Sequence, residues 1–583
     1  MARLGLLLES RRVPAVAALL GIALTSSSIF SGHATEDWIQ RELVRLGPYR
    51  IPWVVNPFDH AEHWTRDDVV RRNVEYQLYG WFPWIADKHF DASFWRPIAS
   101  LTHQIDYRAW PTHPAVMHGE SVLWYGALVL AVALLYRRLV ESAWVAGLAA
   151  LLYAADDSHG HAVGWIINRN AVMATAFSVL ALVAFDSYRR RGSRSGALLT
   201  FLCLGLGLCS AEFALCSAGY FVAYALFVDP APPLRRAVGA LPWVAAIALW
   251  TAVYRWLGHS TYGSGLYIDP LTEPIAYAFE LCERATVLLL GVLGAPPSDV
   301  WTRAGSYAQG LLVFWAAMFV WFVAWALWPT FVRSARARFW GAGLLLSLPP
   351  ACATFCEDRL LLFAGVGAMP LVAETLATLL GGAERPPTRR RSTAILAIAW
   401  ALVHGVVAPL ALPYRSLHMA RYDRQLQEAG RSLFSLVKNP EESLIVVNAE
   451  DFYFAGMIPL TRVARGELNV ARIVTLAGTP EDVDLRRIDE KRLEVRPRDG
   501  FLSRVFNRIY RGRAHPIPRG RTVDLLGVQI TVSEVNQWGE PLAAVFEFAL
   551  PLEHPRYRWV VWRGGRYEPF TPPGVGASAR VHG

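Results

Sequence analysis

"WVAGLAALLYAADDSHGHAVGWIINRNAVMATAFSVLALVAF", residues 144–185, places an acidic, histidine-bearing loop between two apolar runs. The runs, 143–155 and 170–186, read as membrane helices, and the loop reads as their connection at one membrane face. Similar runs recur at 119–136, 196–211, 213–228, 239–257, 309–328, 340–356, 360–380 and 394–412. With "RRVPAVAALLGIALTSSSIF" (11–30), read as an uncleaved first span, they make about eleven spans. Hydrophobic residues form 54% of the 583, and 23 are tryptophan, which fits a polytopic α-helical membrane protein and excludes an ordinary soluble one.

Positive charge sets the orientation. Arginine clusters at 137–138, 188–194, 234–236, 332–338 and 385–391 mark the cytoplasmic side. The loop 31–118 and everything after residue 413 are then exported. The net charge of +9 is a topology signal of this kind and does not point to nucleic acid. The six cysteines show no zinc-type or disulfide spacing. "EPIAYAFELCERATVLLLGVLG" (273–294) is apolar but carries Glu280, Glu283 and Arg284, and reads as an interfacial or re-entrant helix.

The division that follows is a transmembrane part, 1–412, and a C-terminal mainly β extracytoplasmic domain, 413–583. "ESLIVVNAEDF", "VDLLGVQITVSEV", "AAVFEFAL" and "YRWVVW" read as strands, with "NQWGE" and "RGGRY" as turns and a loose tail after Pro572.

Carboxylates and arginines collect at the exported ends of different spans. The pair Glu36–Asp37 follows the first span. Asp156 and Asp157 lie in the quoted loop, Asp358 and Arg359 in "EDR", and Arg96, His103 and Arg169 near other span ends. Sugar transfer from a polyprenyl phosphate needs a carboxylate base for the acceptor hydroxyl and cationic donors for the departing phosphate. A competing reading of Glu36 and Asp37 is a helix start capped by Thr35, whose dipole they complement. Asp67 and Asp68 are rivals for the base. Asp156, Asp157, His159 and His161 place four ligand types within six residues, a candidate site for a divalent ion such as magnesium or manganese.

Three stretches carry a family resemblance. "FWRPIASLTHQIDYRAW" (94–110), "LLYAADDSHGHAVGWIINRNAVMATAF" (151–177) and "EDRLLLF" (357–363) resemble, in order, motifs of GT-C membrane glycosyltransferases of the protein-mannosyltransferase kind and their bacterial relatives. The resemblance implies a GT-C-like membrane domain in a bacterial inner membrane and inverting transfer of a sugar on the extracytoplasmic face. It implies a polyprenyl-phosphate-linked donor and membrane lipid as partners. It places the base at Asp37, with Glu36 as helper, and the lipid phosphate at Arg359 and Arg169. Arg96, Asp156, Asp157, Asp358 and His103 are further substrate-binding candidates. Two other readings stay open: a flippase for lipid-linked glycans, and a non-catalytic envelope assembly protein on the same scaffold.

Overall fold

The computed structural model describes residues 7–46, 66–379, 390–439, 441–467, 472–525 and 527–583. Six helices among them are long and apolar enough to cross a membrane: Val13–Phe30, Pro114–Leu139, Ile166–Arg191, Ser306–Arg333, Leu362–Leu379 and Arg391–Arg415. A seventh arises if Pro233–Gly239 and Leu241–Trp256, bent by 45°, form one broken span. The expected eleven are not reached. The runs at 143–155, 196–211 and 213–228 form the shorter helices Ala143–Ala154, Arg194–Leu208 and Glu212–Phe227. A 12-residue helix such as Ala143–Ala154 rises about 18 Å, well short of a hydrocarbon core of about 30 Å. Its Val145, Ala149, Leu152 and Tyr153 are buried against protein, so its apolar sequence records packing inside the helical bundle. The charged helix Pro274–Leu293 runs its full 20 residues, buries its second half, and pairs Arg284 with Glu280 at 3.1 Å.

The chain after the last span holds two sheets and two substantial helices. A four-stranded sheet runs in the order Arg472–Ala477, Ser443–Asn448, Tyr557–Arg563, Arg566–Pro569. Its first three strands are parallel, and helix Phe452–Ala464 crosses between the first two in sequence. A six-stranded antiparallel sheet is ordered Ser578–Val581, Val483–Arg487, Arg492–Pro497, Pro541–Phe548, Val528–Val535, Thr522–Leu525. All four stretches read as strands lie in the sheets, but "VDLLGVQITVSEV" spans two, Thr522–Leu525 and Val528–Val535, paired antiparallel. Gly564 and Gly565, with φ of 52° and 84°, make the tight turn of the "RGGR" hairpin. The tail is not loose: Ser578–Val581 pairs with Val483–Arg486 and closes an edge of the larger sheet. The part is also less purely β than expected, since His418–Ser435 and Phe452–Ala464 pack on the smaller sheet.

This part has one core of its own, where helices His418–Ser435 and Phe452–Ala464 meet the smaller sheet, and a second that it shares. Trp84, Ile85, Ala86 and Phe90, from the loop before the second span, join Phe501, Leu493 and Phe546 in one buried cluster. Trp84 donates its indole N–H to the Leu476 carbonyl at 3.1 Å and meets Phe501 edge-on at 4.9 Å. Residues 81–93 and the C-terminal sheets therefore lie on the same side of the membrane.

Two glycines fix how the 156–164 loop meets the end of the last span. A Cβ on Gly164 would stand 2.0 Å from the Ser416 carbonyl oxygen, and one on Gly160 would stand 2.8 Å from the Arg415 Cβ. Gly164→Ala is therefore expected to push residues 415–416 away and to lower the thermal unfolding midpoint, with a cost of about 1–3 kcal/mol. Gly119→Ala, at a helical site with open space, is expected to leave the midpoint unchanged or slightly raised.

Candidate functional site

A cavity of about 920 Å³ opens between the helical bundle and the C-terminal part. Its walls come from span ends and their loops (Asn168, Arg359, Tyr414, Arg415), from Glu36, and from Tyr453, Arg504 and Phe506 beyond the membrane region. Six arginines line it: 96, 303, 359, 415, 421 and 504.

The acidic pair after the first span divides its labour. Glu36 and Asp37 open helix Glu36–Leu46, but a helix turns about 100° per residue, so the two carboxylates point apart. Glu36 faces the cavity, where one oxygen accepts a short hydrogen bond from the Tyr453 hydroxyl. Asp37, expected as the base, does not reach it. It is fully buried and accepts the backbone N–H groups of Ala34 at 3.0 Å and Ile167 at 3.1 Å. Burial pushes its carboxyl well above the ordinary range, against the pull of those two N–H groups. Asp37 is a strut between the helix start and the 166–168 turn. It holds Thr35 at φ +46°, a left-handed backbone that a β-branched residue rarely adopts. Asp423 adds an acceptor for the Thr35 N–H at 3.4 Å. The rivals Asp67 and Asp68 lie away from the cavity, Asp68 paired with Arg71 and Asp67 exposed.

Arg415, at the end of the last span, gathers three carboxylates: Asp157 at 3.0 Å, Asp299 at 2.6 Å and Asp358 at 2.7 Å. Asp358 is also held by the Ser298 N–H at 2.7 Å, and its own N–H donates to Asp299 at 2.9 Å. Burial and the neighbouring Asp299 push the Asp358 carboxyl up, while Asp299 is held down against burial with the help of Arg415 and the Asp358 backbone N–H. Of the two, Asp358 is therefore the more readily protonated. Asp157 and Asp358, expected to bind substrate, are spent on Arg415. Asp156 is buried, turned inward onto the Ser158 N–H at 3.0 Å, and does not line the cavity.

The expected metal quartet is not assembled. Among the described residues no group of three or more His, Cys, Asp or Glu side chains converges as a metal site. His159 points into the bundle, where its Nδ1 meets the Tyr125 hydroxyl at 2.9 Å. His161 stacks on Trp165 at 5.6 Å, and burial pushes it down to about 3, so it is neutral at ordinary pH. Sequence neighbours on a short helix point in different directions, and the loop's ligand types diverge for that reason.

The expected phosphate ligands separate in the same way. Arg359 lines the cavity, paired on one side with Glu357 and lying over Phe355 at 5.1 Å. Arg96 lines it too, with its Nε on Glu212 at 2.8 Å. Arg169 does not. It is fully buried, with Asp106 at 2.7 Å, Glu120 at 2.8 Å, the Met117 carbonyl at 2.8 Å and the Ser121 hydroxyl at 3.1 Å. All three guanidinium nitrogens are engaged, so it is a structural ion cluster within the bundle. His103 is buried beside it, stacked on Tyr107, and is driven well below its ordinary value by burial and then by Arg169.

Sequence reasoning missed Arg303, Arg421, Arg504 and Tyr453. The first two follow apolar segments and read as ordinary membrane-edge arginines. The other two come from the C-terminal part, and only the shared core brings them to the membrane surface. Arg504 has no hydrogen-bond or ion-pair partner for its guanidinium among the described residues.

No family model matches the chain, and no curated protein matches it. Among solved structures, it is similar to the archaeal oligosaccharyltransferase AglB from Archaeoglobus fulgidus in complex with an inhibitory peptide and a dolichol-phosphate. That match has 15% identity and a TM-score of 0.35, and covers 77% of this chain and 63% of that one. It is also similar to ArnT from Cupriavidus metallidurans bound to undecaprenyl phosphate, at 12% identity and a TM-score of 0.36, covering 79% of this chain and 89% of that one. The chain thus spans less than two thirds of the length of the oligosaccharyltransferase.

The two acidic neighbours are separable by experiment. Asp37→Asn sets an amide NH₂ against one of two N–H donors. It is expected to lower the thermal midpoint by the equivalent of about 1–3 kcal/mol. Glu36→Gln is expected to leave that midpoint within experimental scatter, as measured by thermal shift of the purified protein.

Proposed function

We propose that this protein is a membrane glycosyltransferase that moves a sugar from a polyprenyl-phosphate carrier to an acceptor, with inversion, on the extracytoplasmic face. The observation that carries the reading is the cavity's composition: arginines line it beside a lipid-accessible span, and of its carboxylates Asp157 and Asp299 pair with Arg415, Glu357 pairs with Arg359 and Asp451 caps helix Phe452–Ala464, which leaves Glu36 and Glu450 facing the cavity. Val407 and Tyr414 line the cavity and are also about half exposed or more on the outer surface of the last span, next to exposed Val406 and Leu410. A prenyl chain can lie along that face in the bilayer while its phosphate enters the cavity.

In this reading Glu36, in place of Asp37, is the general base. It takes the proton of the acceptor hydroxyl as that oxygen attacks the anomeric carbon and the bond to the donor phosphate breaks. The Tyr453 hydroxyl, donating to Glu36, orients the carboxylate. Arg359 and Arg504 are the phosphate ligands, since each keeps N–H donors toward the cavity, while Arg303 and Arg421 line the same cavity engaged with His418 and the Tyr414 carbonyl. Charge-assisted hydrogen bonds of this kind strengthen as the phosphate departs with its full charge. Arg415 is neutralised by its own carboxylates and sets the shape of the wall. The arginine clusters support an exported C-terminal part, and the family resemblance supports a bacterial inner membrane.

Reconstituted protein supplied with polyprenyl-phosphate sugars should release polyprenyl phosphate in an acceptor-dependent manner. Glu36→Gln is expected to lower turnover at least about 100-fold while still binding undecaprenyl phosphate. Arg359→Gln is expected to weaken that binding by about tenfold or more. Lipid binding without turnover by the wild type across donor sugars would leave a binding or assembly role in place of the transferase.

A further inference from the structure

The C-terminal part brings more to the cavity than Arg504 and Tyr453. Strand Ser443–Asn448 lies between two parallel neighbours, Arg472–Ala477 and Tyr557–Arg563. The chain leaves its carboxyl end through helix Phe452–Ala464 to reach the neighbour on one side, and forms the neighbour on the other side only much later. In open sheets, the crevice outside a carboxyl end where parallel neighbours diverge in this way is where ligands bind. Glu450 and Asp451 stand directly beyond that end, and both line the cavity.

The two carboxylates are spent differently. Asp451 is buried and caps the helix, accepting the Phe454 N–H at 2.7 Å. Glu450 is half-buried and has no hydrogen-bond or ion-pair partner among the described residues. Helix His418–Ser435 adds Tyr422 and Gln425, three positions apart and so on one face, and both line the same cavity. Tyr422 is half-buried and Gln425 exposed, and neither side chain has a hydrogen-bond partner among the described residues. Burial, and then the charges of Asp451, Glu36 and Glu450, push the Tyr422 hydroxyl up, so it keeps its proton and can donate. Tyr453, three residues on from Glu450, stacks on Phe506 at 5.8 Å, and both rings line the cavity.

A carboxylate that only accepts, a phenol that donates and accepts, and a carboxamide that does both match a run of neighbouring hydroxyl groups. None of the three is cationic, so they do not call for the phosphate that the arginines suit. With Arg504 on the same wall, a cationic ligand gains little there. We infer that Glu450, Tyr422 and Gln425 form a subsite for the hydroxyl groups of a sugar, and that the acceptor of the transfer is itself a carbohydrate. The role as acceptor rests on the transferase reading above, whereas the binding of a sugar does not.

Saturation-transfer difference NMR on the full-length protein in phospholipid nanodiscs, free of glycoside detergent, tests the binding. The probes are maltotriose, N-acetylglucosamine, methyl α-mannoside and a serine-containing tetrapeptide. At least one saccharide is expected to bind the wild type at millimolar concentration. Glu450→Gln, Tyr422→Phe and Gln425→Ala should each weaken it by about threefold or more. The thermal midpoint should stay unchanged, since none of these side chains has a partner to lose. Arg359→Gln should leave saccharide binding as it is. In the transfer assay, the same three substitutions should raise the KM for the acceptor and not that for the donor. The inference falls if no saccharide binds, if binding ignores all three substitutions, or if the tetrapeptide alone binds and is lost in the variants; turnover by the wild type would then leave the transferase standing. Saccharide binding that is lost in the variants, with no turnover by the wild type, would keep the subsite and remove the transferase instead. A raised KM for the donor with that for the acceptor unchanged would overturn the assignment to the acceptor.

Discussion

Arg415 holds the cavity together. It stands where the last span leaves the bundle, and its guanidinium binds carboxylates from the 156–164 loop, from the short helix Asp299–Arg303 and from the turn before Leu362–Leu379. One cation faces three acids, and burial makes Asp358 the readiest of them to take up a proton. Four segments distant in sequence are thereby tied at one point. Breaking a buried pair by removing one partner costs about 3–5 kcal/mol, since the other charge is left uncompensated. The arginines left free to meet a ligand are free because this cluster absorbs the nearby negative charge.

The same distinction between spent and unspent charge separates the two halves of the sequence reading. Membrane character, the strands of the C-terminal part and the gathering of charge at one level of the molecule were all legible, because run length and alternation report directly on burial. The roles of particular side chains were not. Glu36 and Asp37 are adjacent letters, and only the helix start decides which one looks outward. Arg169 and Arg359 look alike as arginines at the start of a span. One has all its nitrogens engaged inside protein and the other keeps donors open. A pattern search sees residue types, whereas a site is made by what remains unpaired after folding.

The gap between eleven apolar runs and six or seven long apolar helices among the described residues has a related cause. An apolar stretch says that a helix avoids water and is silent on whether lipid or protein covers it. Ala143–Ala154 packs within the bundle, and its length of 12 residues is the clue that hydropathy by itself overlooks, whereas Arg194–Leu208 keeps Leu198, Leu199 and Leu202 exposed.

The core that Trp84, Ile85 and Phe90 share with Phe501 and Phe546 sets an order of assembly. A ribosome delivers Trp84 more than four hundred residues before Phe546, so the early loop waits outside the bilayer, apolar and uncovered, while most spans are inserted. A nascent chain interrupted before the last strands would leave that loop as a target for chaperones and proteases, and quality control would read the missing end of the protein from a segment near its beginning.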